Sequence, residues 1–259
     1  MTFHTPPPDS DDILLPPQDI ETGLALHALQ QGELTLHGLL PWSSNYTFLG
    51  TIACEGLRFN VVYKPAQGER PLWDFEHATL CRREVAAYQV SRALGDWPNI
   101  PPTVLRNGPH GPGMLQQFIH ADYDAHYFTL KDDPRYQTAF QQLALFDYLV
   151  NNADRKGGHC LLDHRQQIWA IDHGLTFHTD YKLRTVIWKY ANRRIPQTLY
   201  RALARFKANF TPHSEAWRIL QNLISPDEIA AFVQRLDNLL ASGRFPRPLG
   251  YRDYPYPPV

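Results

Sequence analysis

The stretch from Arg135 to His178 constrains this chain more than any other. RYQTAFQQLALFDYLVNNAD carries Phe140, Leu143, Leu145, Phe146, Tyr148 and Leu149 at a density that suits a buried helix rather than a surface one. The apolar run passes directly into the polar loop NNADRKGG. Two short apolar runs follow, HCLLD and IWAID, separated by the polar DHRQQ, and they predict a small hairpin immediately after the helix. A helix buried on most sides needs other helices around it, so this half of the chain is expected to be a helical lobe. At 259 residues the chain can bury a substantial core, as one large domain or as two lobes sharing a cleft.

Upstream the periodicity changes. A short helix is expected from about Asp19 to Gln31 with Gly32 as its stop signal, and then ELTLHGLL, YTFLGTIAC and RFNVVYK read as three short antiparallel strands. ATLCRREVAAYQVSRALG is helical and ends at Gly95; PNIPPTVLRNG reads as extended, and GMLQQFI as another strand. The boundary between lobes falls near Gln117. The opening MTFHTPPPDSDDILLPP is rich in Pro and Asp and is expected to be a flexible arm at least to Pro17. Three amphipathic helices are expected between Pro196 and about Ser242, with Pro196, Pro212 and Pro226 near their starts, before a Pro-rich extended tail. The expected organisation is an arm over 1–18, a small lobe over 19–117 and a larger lobe over 118–259. The fold class is α+β: a small antiparallel sheet with one main helix, and a mostly helical second lobe.

Composition narrows the possible partners. Apolar residues make up 43% and charged residues 20%, ordinary for a globular protein, and the formal net charge of −1 gives no global field toward nucleic acid or an anionic membrane. Cys54, Cys81 and Cys160 are too few and too scattered for a disulfide framework, which favours a reducing cytoplasm. No signal-peptide pattern and no run near the ~18 apolar residues of a membrane span is visible, so integral membrane association is not expected.

Within the constraining stretch, Asp154 is followed five positions on by His159 and eighteen positions on by Asp172, with Gly174 two further. That order matches the protein-kinase arrangement of a catalytic Asp, a metal ligand five residues later and a second metal-binding Asp beyond. Phosphoryl transfer needs little covalent help, only placed metal ligands, a cation on the phosphates and a group orienting the attacking hydroxyl. Lys64 at the end of a strand is the candidate cation and Glu84 on the following helix its candidate partner. The loop Pro41–Thr47 offers Ser43, Ser44 and Asn45 as phosphate-loop donors, although it has no glycine. Each piece also has an ordinary reading: a solvated strand end, a surface helix charge, a hairpin turn, or an Asp capping a loop.

Taken together, Val62-Tyr63-Lys64-Pro65, Glu84, Pro101-Pro102-Thr103-Val104, Asp154-Arg155 and Ala170-Ile171-Asp172-His173-Gly174-Leu175 resemble the phosphatidylinositol 3- and 4-kinase superfamily. The resemblance is in particular to the type II phosphatidylinositol 4-kinases and a group of little-characterised bacterial proteins similar to them, and it spans roughly Leu40 to His178. The resemblance implies a protein-kinase-like fold that binds ATP with Mg²⁺ or Mn²⁺. It gives Lys64 to the α/β-phosphates, Glu84 to Lys64, and Gln116, Gln117, Phe118 and Ile119 to a hinge holding the adenine. Asp172 becomes the main metal ligand, Asp154 the group that takes the acceptor proton, and Lys156 a γ-phosphate contact. His159 stands where the family normally has Asn and is the second metal ligand by position; imidazole suits Mn²⁺ better than Mg²⁺.

The acceptor is expected to be a hydroxyl on a protein, a small molecule or a lipid, with a protein or small molecule favoured because no membrane-docking amphipathic helix is evident. A further protein partner stays open. The stretch with Lys182, Arg184, Lys189, Arg193 and Arg194 fits either an acidic substrate or a solvated face. Three other readings remain: transfer of AMP, a nucleotide-binding pseudokinase acting as a regulatory module, and a metal-dependent hydrolase built on His159, His164, Asp172, His173 and His178.

Overall fold

The computed structural model describes residues 14–40 and 45–259. Ser43 and Ser44 lie outside the described residues. Helix α1 (Thr22–Gln31) starts where the Glu21 carboxylate accepts the Leu24 N–H at 2.9 Å, an N-cap that places the helix start after the expected Asp19. Its apolar stripe, Ala25, Ala28 and Leu29, is buried against Ile52, Phe59, Val61, Tyr63 and Leu115 of a five-stranded sheet.

That sheet is antiparallel throughout, with β1 (Glu33–Leu39), β2 (Phe48–Cys54), β3 (Leu57–Pro65), β4 (Thr103–Gly108) and β5 (Gly111–Gln117) in the order β1-β2-β3-β5-β4. Glu55 and Gly56, both at positive φ, form the tight turn that joins β2 to β3. The extended PNIPPTVLRNG becomes edge strand β4. Strand alternation decides what each face carries. Tyr63 and its partner Leu115 face α1, whereas Lys64 and its partner Met114 lie on the other face, where Met114 packs with Cys81 and Val85 of α2 (Leu80–Leu94). Gly95, left-handed at φ 95°, ends α2 as expected.

The second lobe begins where this sheet stops. The predicted hairpin is β7 (Cys160–Asp163) with β8 (Ile168–Ala170), and a two-residue strand, β6 (Ala121–Asp122), joins it as a third member. Around it stand α3 (Tyr127–Leu130), α4 (Gln137–Leu149), α5 (Gln197–Asn209), α6 (Glu215–Gln221) and α7 (Pro226–Ser242). Helix α4 is the buried one: Phe140, Leu143, Leu145, Phe146 and Leu149 are all essentially inaccessible. Pro226 opens α7 behind a Ser225/Glu228 capping box, and Pro196 caps α5, but α6 starts at a Ser214 cap rather than at Pro212. Among the described residues, one small hydrophobic cluster lies under the sheet, a second joins the sheet to α2, and a large one joins α2 to α4 and the helices around it.

Both ends of the described chain are tied down. Leu15 donates its N–H to Asn60 Oδ1 at 2.7 Å, Gln18 Nε2 reaches the Arg58 carbonyl at 2.9 Å, and Asp19 pairs with Arg165 of the other lobe at 3.0 Å. So 14–18, expected to be loose, lie along the sheet. The Pro-rich tail forms a short 3₁₀ turn at Tyr251–Asp253 and folds back: the Asp253 carbonyl accepts from Thr185, and the Pro258 carbonyl accepts the Gly157 N–H at 2.8 Å. Among the described residues no helix is long and apolar enough to cross a membrane.

Candidate active site

The polar loop after α4 is held from beneath by buried groups. Asn151 takes a left-handed turn at φ 56°. Asn152 donates to Asp147 Oδ1 at 2.9 Å and accepts the Asp154 N–H at 3.0 Å, which sets the backbone of Asp154. Asp147 and Arg155 are both fully buried; Arg155 Nε lies 3.1 and 3.0 Å from the two Asp147 oxygens. The rest of the guanidinium points to the strand end that carries Asp172. Nη1 donates to the Ile171 carbonyl at 2.7 Å and Nη2 meets His173 Nε2 at 2.7 Å, so the residues on either side of Asp172 hang from one arginine. Because a guanidinium only donates, His173 accepts on Nε2 and carries its proton on Nδ1. That Nδ1 is buried with no hydrogen-bond partner.

Asp172 sits at φ 61°, a left-handed conformation that Asp tolerates better than most residues. Its Oδ1 is 3.1 Å from Lys64 Nζ and its Oδ2 is 3.3 Å from His159 Nε2. Lys64 Nζ is also 2.6 Å from Glu84 Oε1, while Glu84 Oε2 accepts the His173 N–H at 2.8 Å. The small lobe thus supplies a lysine and a glutamate, and the large lobe an aspartate, to one array. Two further ties cross the lobes: Lys182 to Asp74 at 2.9 Å, and Arg83 to the Thr176 carbonyl at 2.6 Å.

The charges respond to burial and to one another. Burial alone would lower Lys64, but Asp172 and Glu84 outweigh it and hold the ammonium above the usual lysine range. Burial raises Asp172, yet Lys64 and His159 reverse the sign and keep its carboxylate ionised far below the ordinary value. Asp154 is pushed up to about 6, chiefly by burial and further by Asp172, with Lys156 at 3.3 Å opposing. Burial takes His159 down to about 3, so it is neutral at pH 7. The Lys156 N–H points at His159 Nδ1 (3.4 Å), which leaves Nε2–H to donate to Asp172. Lys64, Glu84, Asp154, Asp172 and Asn45 line one cavity of about 310 Å³ between the lobes.

No protein-family model matches the chain. Protein Rv2133c of Mycobacterium tuberculosis (strain ATCC 25618 / H37Rv) is 38% identical over 271 aligned positions, covering 88% of this chain and 93% of that protein. The chain belongs to the Rv2133c family. Among solved structures, the Helicobacter pylori proinflammatory kinase CtkA superposes with a TM-score of 0.51 at 12% identity, over 84% of this chain and 94% of that one. The likeness shows that this Rv2133c-family chain has a kinase-like bilobal fold.

The fold gathers some of the expected site residues and not others. Gln116 spends its side chain on Thr103 Oγ1 at 2.8 Å inside the small lobe. The Gln117 N–H goes to the Pro102 carbonyl and the Phe118 N–H to Asn60, both at 3.0 Å. Gln117, Phe118 and Ile119 line a second cavity of about 220 Å³ with Pro17 to Ile20, rather than the one that holds Lys64 and Asp172. The histidines crowded in sequence disperse in space: His164 approaches Asp19 at 3.9 Å, His173 is held by Arg155, and His178 lies against Phe75. Among the described residues no three metal-ligating side chains gather. The hydrolase reading therefore loses the cluster that motivated it. In the basic stretch, Lys182 is paired with Asp74 and Lys189 with Asp132, whereas Arg184, Arg193 and Arg194 are exposed.

Sequence reasoning passed over Asp147, Asn152, Glu69 and Arg70. Asp147 had a visible signal: a lone carboxylate on the buried face of an apolar helix, which only a buried cation could balance.

For the Rv2133c-family chain this network implies a pH-dependent stability. His159 and His173 both have folded pKa values below their ordinary 6.5, principally through burial. The unfolded chain therefore binds more protons than the native one, and stability is lost as pH falls through about 6.5. Each histidine contributes a slope of up to about 1.4 kcal/mol per pH unit below that point. Asp154, raised to about 6, opposes this by taking up a proton in the folded state, so the check is the difference between the wild type and His159→Asn: urea midpoints should fall by more in the wild type between about pH 7 and pH 5. Equal changes in the two proteins would contradict the buried neutral imidazole of His159.

Proposed function

We propose that this chain is an ATP- and divalent-metal-dependent phosphotransferase of the phosphatidylinositol 3-/4-kinase-like type, moving the γ-phosphate to a hydroxyl acceptor. The observation that carries this reading is the array of Lys64, Glu84 and Asp172 drawn from both lobes, with Asp154 lining the same cavity. Glu84 fixes Lys64 where its ammonium can neutralise non-transferred phosphate oxygens. Asp154, anchored through Asn152, accepts or orients the proton of the attacking hydroxyl; a pKa of about 6 leaves it ionised at neutral pH while keeping it basic enough to serve.

A divalent metal fits the donor set in part. Asp172 and Asp154 offer hard oxygens to one cavity, as Mg²⁺ and Mn²⁺ prefer, whereas the His159 Nε2–H already serves Asp172 and is a positioning group in this arrangement. When bound, the metal would neutralise phosphate charge and orient the phosphate chain. Lys156 pairs with Asp154 at 3.3 Å and is a further cation beside that carboxylate.

The test is to incubate purified protein with ATP labelled on its γ-phosphate, in Mg²⁺ and separately in Mn²⁺, and to resolve the products. ADP together with labelled protein or labelled phosphate is expected, and Asp154→Asn should reduce either by about 10²-fold or more. Pyrophosphate with an AMP-sized mass shift would replace this reading by nucleotidyl transfer. Binding of ATP with no product, in the wild type and over long incubation, would favour a regulatory nucleotide-binding module.

A further inference from the structure

Most cations around the cavity are already committed. Lys64 is shared between Glu84 and Asp172, and Lys156 is paired with Asp154. Arg70 differs: it lines the same cavity, and among the described residues its guanidinium has no carboxylate or other hydrogen-bond partner. Among the described residues, four carboxylates, Glu69, Glu84, Asp154 and Asp172, line the cavity against two cations, Lys64 and Arg70. A polyanion entering such a cavity is repelled unless metal ions and an uncommitted cation meet it.

The root of Arg70 is fixed even though its head is free. Asn45 Oδ1 accepts the Arg70 N–H at 2.9 Å, and the Tyr46 N–H donates to the Gly68 carbonyl at 3.1 Å. Between these contacts, the buried Glu69 carboxylate accepts the N–H groups of Leu80 at 3.1 Å and Cys81 at 2.9 Å, capping α2 from eleven residues upstream. Gly68 lies so close under Tyr46 that a Cβ there would come within 2.6 Å of the tyrosine Cβ. Residues 68–70 are thereby clamped between the loop that joins β1 to β2 and the N-terminus of the helix that carries Glu84. A guanidinium on a rigid root, with a flexible stem reaching into the cavity, is suited to a two-pronged grip on phosphate oxygens.

We propose that Arg70 binds the phosphate chain of the nucleotide and sets the preference of this cavity for a triphosphate over a monophosphate. The proposal rests on the phosphotransferase reading given above. When the triphosphate enters, Lys64 stays paired with Glu84 and exchanges its Asp172 contact for phosphate oxygens, whereas Arg70 gains a partner and gives up none.

The test is calorimetric titration of the wild type, Arg70→Ala and Arg70→Lys with ATP and with AMP, in Mg²⁺ and in Mn²⁺. Arg70→Ala is expected to weaken ATP about tenfold or more and to leave AMP unchanged, and Arg70→Lys to recover only part of the loss, since an ammonium lacks the fork. Thermal melting of each variant should coincide with the wild type, because the Arg70 side chain is exposed. Equal weakening of ATP and AMP, or no change in either while the wild type binds ATP, would overturn the role of Arg70 and leave the phosphotransferase reading standing. Failure of the wild type itself to bind ATP would overturn both.

Discussion

Arg155→Ala is expected to lower the free energy of unfolding by about 3–5 kcal/mol. The substitution leaves Asp147 ionised and fully buried with only neutral donors, and deletes the donors that hold the Ile171 carbonyl and His173. Burial already raises the Asp147 pKa against the opposing pull of Arg155, so removing the arginine raises it further and leaves the buried charge uncompensated. Arg155→Lys does not rescue, because one ammonium cannot span Asp147, Ile171 and His173. The apolar double replacement Asp147→Leu with Arg155→Met should recover much of the stability, since it removes both charges together. Urea unfolding of the three variants measures the effect. A cost below about 1 kcal/mol for Arg155→Ala would mean that the pair is not a buried ion pair in solution. On the phosphotransferase reading, the double variant should also separate stability from function: it is expected to fold, but the Asp154 loop has lost its tie to the Asp172 strand, so turnover should stay low.

On the phosphotransferase reading, Asp172→Asn is expected to reduce phosphotransfer by about 10²–10³-fold while leaving the fold intact. Asparagine keeps the shape of the side chain and tolerates the left-handed conformation at φ 61°, so the change isolates the charge. Lys64 retains Glu84 at 2.6 Å and stays ionised and in place. Asp172 is held ionised well below the ordinary carboxylate range, by Lys64 and His159 against burial, so lowering the pH of the wild type to about 5 does not mimic the substitution. Rates at fixed metal concentration, together with circular dichroism and thermal melting, check both halves of the expectation. Full activity in Asp172→Asn would remove Asp172 from the chemistry and leave the array a structural clamp between lobes. The His159 neighbour gives a finer contrast. As a positioning group, His159→Asn should change the rate far less than Asp172→Asn, and it should shift metal preference little, whereas a true ligand would alter the Mg²⁺ to Mn²⁺ ratio strongly.

Much of the architecture follows from local pattern. The three strands from Glu33 to Pro65, the helix ending at Gly95, the buried helix before Asp154 and the hairpin after it could all be read, because periodicity, caps and turn residues act over a few positions and leave their mark in sequence. The pairing of Lys64 with Glu84 and the closeness of Asp154 to Asp172 were likewise legible, through the order and spacing of a composite motif. Strand β4 and the two-residue β6 were less legible, since an edge strand is defined by its neighbour rather than by its own residues.

What only the tertiary structure decided are the long-range commitments of polar groups. Nothing within reach of Asn45 in sequence says that it holds Arg70, or that Glu69 caps α2; both depend on the segment after β3 lying between Asn45 and the start of α2. The same holds for Gln116, whose amide turns to Thr103, and for Gln117 and Phe118, whose N–H groups are taken by Pro102 and Asn60. Hydrogen bonds and ion pairs need atoms placed within a few tenths of an ångström, and that placement is set by how the lobes pack, not by composition or period. The sequence by itself determined the elements, the two-lobed α+β class and the residues with chemistry to offer. Packing determined which of them meet: one arginine that carries the Asp154 loop and the Asp172 strand together, and another left with a free guanidinium at the cavity.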